Sequence, residues 1–102
     1  MVRKKSAKKT KKTKKVNKAL KDAPDDKKFW LCDGRVLKNM KELEQALRTM
    51  NDGTYRYHVN GSKNDFYNWV KGVFKDRKIA NDIKNSRNRV IAANKLKRKF
   101  SL

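Results

Sequence analysis

Residues 62–74 read Ser-Lys-Asn-Asp-Phe-Tyr-Asn-Trp-Val-Lys-Gly-Val-Phe. Within them Phe66, Trp69, Val70, Val73 and Phe74 recur at i, i+3, i+4, i+7 and i+8, an apolar stripe that faces a core along one side of a helix. Ser62 with Asp65 three residues on has the spacing of an N-terminal cap. Gly72 costs such a helix stability relative to alanine, which predicts a close backbone approach at that point. This is the best-defined core element of the chain, and the fold is read outward from it.

Upstream, two short apolar runs, Phe29-Trp30-Leu31-Cys32 and Arg35-Val36-Leu37, flank Asp33-Gly34. An Asp-Gly pair in that position predicts a hairpin with a type I′ turn, whose two central residues both need positive φ. Asn39 with Glu42 forms a capping pair, and Met40, Leu43, Leu47 and Met50 then repeat at helical spacing, so a helix runs from about Met40 to Met50. Asn51-Asp52-Gly53 is expected to end it, with the glycine left-handed. Thr54-Tyr55-Arg56-Tyr57-His58-Val59 is β-branched and aromatic, which predicts a third strand closed by Asn60-Gly61. Downstream, Asp76 caps a last helix carrying Ile79, Ala80, Ile83, Val90 and Ile91, with a bend at Asn85-Ser86 and a basic end from Lys95 to Phe100. The expectation is an α+β fold: one small single domain over residues 28–84, a short antiparallel sheet packed by two or three helices. A disordered lysine-rich tail, 1–27, precedes it and a basic C-terminal helix, 85–102, follows.

Charge says more about partners than the fold does. The first 21 residues hold eleven lysines and arginines and no acid, within a chain of 102 residues whose net charge is +20. Residues 1–28 carry thirteen basic and three acidic groups, residues 29–80 ten and six, and residues 81–102 seven and one. Only Val16 and Leu20 are sizeable apolar groups in the first stretch, too few to offset the entropy of ordering it. Confined like charges repel, and a nucleic-acid backbone relieves that repulsion while shedding its own condensed counterions. Lysine brings point charges without the planar fork that arginine lays on guanine, so such a tail contacts phosphates and ignores sequence.

Cys32 is the single cysteine, which fits a reducing compartment and leaves no disulfide framework or thiolate cluster. No apolar run follows the basic N-terminus as in a signal peptide, and no stretch approaches the ~20 apolar residues of a membrane span. The expectation is a cytoplasmic, nucleoid-associated protein with no membrane partner.

Few residues offer chemistry. His58, the single histidine, stands near Tyr57, Asn60 and Asp65, a set that could be drawn as a general-base site. Without a nucleophile or a second ligand nearby, its better reading is a buried hydrogen-bonding residue. No metal or other cofactor is expected, because one histidine without paired cysteines does not complete a tetrahedral site. Phe66, Trp69 and Phe74 read as core, while Tyr55, Tyr57 and Tyr67 are candidate surface contacts and Trp30 a further candidate stacking ring.

The body also resembles a small domain family, common in archaea, for which no activity is defined. The likeness spans about residues 29–84 and rests on Asp33-Gly34-Arg35-Val36-Leu37, Met40-Lys41-Glu42-Leu43, Tyr55-Arg56-Tyr57-His58-Val59-Asn60, Asn64-Asp65-Phe66, Trp69-Val70 and Ile79-Ala80. It implies an archaeal or related origin and a compact body with both helix and strand. Where that pattern tends to carry an acid this chain has Gly72, flanked by Lys71 and Lys75, a bias toward a polyanion.

The resulting expectation is a non-enzymatic, sequence-independent protein of duplex DNA that coats, bridges or compacts it as chromatin and nucleoid proteins do. The alternative is a small basic RNA-binding protein of the ribosome. The residues expected to touch nucleic acid are Lys4, Lys5, Lys8, Lys9, Lys11, Lys12, Lys14 and Lys15 in the tail, Lys71 and Lys75 in the body, and Arg87, Arg89, Lys95, Lys97, Arg98 and Lys99 at the C-terminal end.

Overall fold

The computed structural model describes residues 21–102; the eight tail lysines expected to bind nucleic acid, and most of the expected disordered tail, lie outside them. A 3₁₀ turn at Asp25–Lys27 leads into β1 (Phe29–Trp30) and β2 (Val36–Leu37), followed by α1 (Met40–Thr49) and α2 (Asp52–His58). Then come β3 (Val59–Asn60), β4 (Lys63–Asn64), α3 (Asp65–Trp69) with a π-helical continuation at Val70–Phe74, α4 (Arg77–Lys84) and α5 (Arg89–Phe100). Over the described residues the fold is α+β, five α-helices with two short antiparallel ribbons, β1–β2 and β3–β4.

Local chemistry accounts for most boundaries. Asn39 Oδ1 accepts from the Glu42 N–H at 2.8 Å, and the Glu42 carboxylate accepts from the Lys38 N–H at 2.9 Å, so the start of α1 is closed from both sides. Asn88 caps α5 through the Ile91 N–H at 2.9 Å, and Asp76 caps α4 through the Ile79 N–H at 3.0 Å. The β1–β2 loop differs from the expected type I′ turn. The Gly34 N–H donates to the Leu31 carbonyl at 3.0 Å and the Leu31 N–H to the Arg35 carbonyl at 2.8 Å, while Gly34 alone has positive φ, 101°. That is the three-residue hairpin loop with glycine in the left-handed place.

Other expectations are corrected. Residues 54–58 are helical: Asn51 Oδ1 accepts from the Thr54 N–H at 2.8 Å and opens α2, with Thr54 and His58, four apart, both buried. Gly53 therefore sits inside a helix and is not a left-handed terminator. Asn64, not Ser62, caps α3, accepting from the Tyr67 N–H at 3.0 Å, while Ser62 bonds Asn60 Oδ1 and closes the β3–β4 turn. The last helix is two helices, broken between Lys84 and Arg89. Val90 and Ile91 are consequently exposed, and α5 enters the core through Ala92, Ala93, Leu96 and Phe100.

The C-terminal helix is thus part of the body and not an arm beyond it. It packs along α1, where two alanines bring the helix backbones close and Met40, Leu43 and Leu47 are fully buried. The N-terminal boundary moves as well. Ala23 is buried and its N–H donates to the Lys38 carbonyl at 2.6 Å, so ordered packing begins before residue 28.

Gly72 is exposed, and a Cβ there would meet nothing within 4 Å, which removes the expected close approach. Gly72→Ala is expected to raise stability by ~0.5–1 kcal/mol, since it removes unfolded-state freedom without a clash. Thermal denaturation measures this, and a loss of stability would show that the π-helical turn depends on glycine.

Candidate nucleic-acid interface

The residues of the family-like pattern build a scaffold. His58 is 4% exposed; its Nε2 accepts from the Cys32 N–H at 3.1 Å and its Nδ1 faces Asp65 Oδ2 at 2.9 Å. A backbone donor at Nε2 places the ring proton on Nδ1, which donates to the carboxylate. Both nitrogens are thereby committed, and the imidazole ties the β1–β2 loop to the start of α3. Phe29 stacks on Phe66 at 4.9 Å and meets the His58 ring edge-on at 5.1 Å. Cys32 is exposed and free. Among the described residues no three His, Cys, Asp or Glu side chains converge as a metal site, and no helix is long and apolar enough to cross a membrane.

Burial alone would raise the Asp65 carboxyl, but hydrogen bonds from His58 and Lys63 and the Lys63 charge outweigh it and hold the group below its ordinary value. A carboxylate lowered in the folded state contributes stability above its unfolded value and loses it as pH falls through the folded one. Asp65→Asn should therefore flatten the fall of the melting temperature below about pH 4, and an unaltered acid limb would contradict this. His58→Ala should cost ~1–3 kcal/mol, the loss of a buried hydrogen-bond acceptor.

Cations concentrate toward the C-terminal end of the chain. Between Lys71 and Leu102 the chain has eleven basic residues and two acids, Asp76 and Asp82. The acids farther upstream are largely engaged: Asp25 pairs with Lys28, Asp33 with Arg35, Glu42 with Lys38, Glu44 with Arg48 and Asp65 with Lys63. In the C-terminal third only Arg89 makes an ion pair among the described residues.

The structure separates the expected contact residues into groups. Arg89 is structural: Nε donates to Asp52 Oδ1 at 3.0 Å and Nη1 to the Leu47 and Arg48 carbonyls at 2.9 and 3.0 Å, pinning α5 to the end of α1. Lys95, Arg98 and Lys99 come together beside Asp82, with Lys95 Nζ donating to the Asp82 carbonyl at 3.3 Å. Lys97 and Arg98 flank a second shallow depression with Asn94 and Ser101. Arg87 is exposed in the α4–α5 turn, and Lys75 is exposed at the left-handed residue, φ 57°, that ends the π-helical turn.

Lys71 belongs elsewhere. Its ammonium lies 5.3 Å from the Tyr67 ring centroid, and that of Lys84 lies 5.0 Å from the same ring. Asp82 and Lys84 are roughly 200° apart around α4 at 3.6 residues per turn, so the Tyr67 group and the α5 group face different directions. Lys84, at this ring, and Arg77 and Lys78, also on α4, are not among the residues the sequence reading expected to touch nucleic acid. Of the candidate stacking rings, Trp30 is 70% and Tyr57 59% exposed, while Tyr55 and Tyr67 are half-buried.

The chain matches no protein-family model, no curated protein and no solved structure.

Proposed function

We propose that this chain is a non-enzymatic protein that binds duplex DNA without regard to sequence and compacts it, as chromatin and nucleoid proteins do. One observation carries the reading: cationic charge stands at both ends of the sequence, with eleven basic residues and no acid before Asp22 and eleven against two after Val70. Ten of those last eleven make no ion pair among the described residues, so their charge is available to phosphates. Two separated cationic elements on one chain hold two duplex segments, or two parts of one bent segment, at high effective concentration.

Reversing charge at Lys97, Arg98 and Lys99 together is expected to abolish bridging between two tethered duplexes while leaving part of the binding to one. All three side chains are exposed, so the core is spared. Compaction that survives the triple change would overturn bridging through α5.

An RNA-binding role on the ribosome is the second reading, supported by the Tyr67 ring with its two lysines, an arrangement suited to unpaired bases. Phosphate contacts are common to both polymers. Competition between duplex DNA and structured RNA at physiological salt separates the readings, preference for RNA overturning the first.

A further inference from the structure

We propose that the groove between the β3–β4 turn and Tyr67 seats an unpaired nucleotide of a bound strand; this rests on the nucleic-acid reading above. The groove has a volume of about 460 Å³ and is lined by Val59, Asn60, Gly61, Tyr67, Asn68 and Lys84 among others, with no carboxylate in its wall. That volume lies within the ~300–1,000 Å³ of small-ligand sites. Its composition matches the two halves of a nucleotide.

For the phosphate there is Lys84 in the groove wall, its ammonium 5.0 Å from the Tyr67 ring centroid, while Lys71, outside the lining, lies 5.3 Å from the same centroid. Neither pairs with a carboxylate among the described residues, unlike Lys63 at the groove's edge, which bonds Asp65 at 3.0 Å. For the base there is an apolar floor of Tyr67 and Val59, both half-buried, so that part of each is open to the groove. Asn68, exposed and with no hydrogen bond of its side-chain amide to another described residue, stands at the rim with a donor and an acceptor for a base edge.

The seat selects against a duplex, because paired bases hide both faces in the stack and only an unstacked base reaches an aromatic floor. It thus assigns to the body a preference that the sequence-blind lysine tail does not have.

The test uses the full-length chain labelled with nitrogen-15, titrated with single-stranded dT10 and with a ten-base-pair duplex. Single-stranded dT10 is expected to shift the Gly61 backbone and Asn68 side-chain amide signals, and the duplex to leave them in place. Asn68→Ala, at an exposed position that carries no charge, should weaken dT10 binding about fivefold or more while leaving duplex affinity nearly unchanged, and Lys84→Glu should weaken dT10 binding further through lost phosphate attraction. Duplex binding with no groove shifts from dT10, or equal shifts from both ligands, would overturn the seat and leave the wider reading standing. Binding of neither ligand would overturn both.

Discussion

Trp69→Ala is expected to cost ~3–5 kcal/mol, the range for removing a large buried aromatic. Trp69 is 8% exposed, packs edge-on against Phe29 at 5.5 Å and Phe74 at 5.1 Å, and donates its Nε1–H to the Lys27 carbonyl at 2.7 Å. The substitution therefore opens a cavity where the β1–β2 ribbon, α3 and the π-helical turn meet, and also orphans the carbonyl that ends the 3₁₀ turn. A body of ~80 residues has in total ~4–12 kcal/mol of stability. Much or all of it would go, and denaturant titration should find the variant largely unfolded or melting at least ~12 °C lower. Trp69→Phe separates the two causes, since it keeps an aromatic ring and loses only the indole donor and some volume. A Trp69→Ala loss below ~1 kcal/mol would show that the core does not lean on this ring.

What the sequence disclosed and what it hid divide along the range of the deciding interaction. Helix α1 was legible because its signals are local: Asn39 and Glu42 stand three residues apart, and Met40, Leu43 and Leu47 share one face. Helix α2 was not. Tyr55, Tyr57 and Val59 favour a strand by propensity, but the residues that decide are Thr54 and His58, buried four apart, and His58 finds partners 26 residues upstream and 7 downstream. A cap at Asn51 was the available local signal, masked by a glycine that usually ends helices. The division of the last helix turned on Asn88, a cap preceded by polar residues, whereas the hydrophobicity of Val90 and Ile91 pointed to a core they do not enter.

The same division runs through the candidate interface. The Lys71–Tyr67 contact is an i, i+4 pair on a helix and is readable from spacing. Lys84 reaches the same ring only because the chain reverses at Lys75 and returns along α4, and no periodicity announces that. Arg89 shows the opposite failure, a cation counted for phosphate that the fold spends on two carbonyls and Asp52.

Deleting residues 1–21 is expected to change DNA binding more than any single substitution in the body. The segment holds eleven of the chain's thirty basic residues and none of its ten acids. Each phosphate contact it makes adds about 0.9 to the slope of log K against log salt on duplex DNA. If half or more of these lysines and arginines engage, the slope should flatten by roughly 5–10, and affinity at moderate salt should fall by several orders of magnitude. The described core runs from Ala23 to Phe100, so a melting curve equal to that of the intact chain is the accompanying control. Uniform loss across duplex sequences would support phosphate contact without base reading; a loss confined to particular sequences would contradict it, because lysine lacks the fork that reads guanine. An unchanged salt slope would reject the segment as a binding element, and binding would then fall to the unpaired cations of α4 and α5.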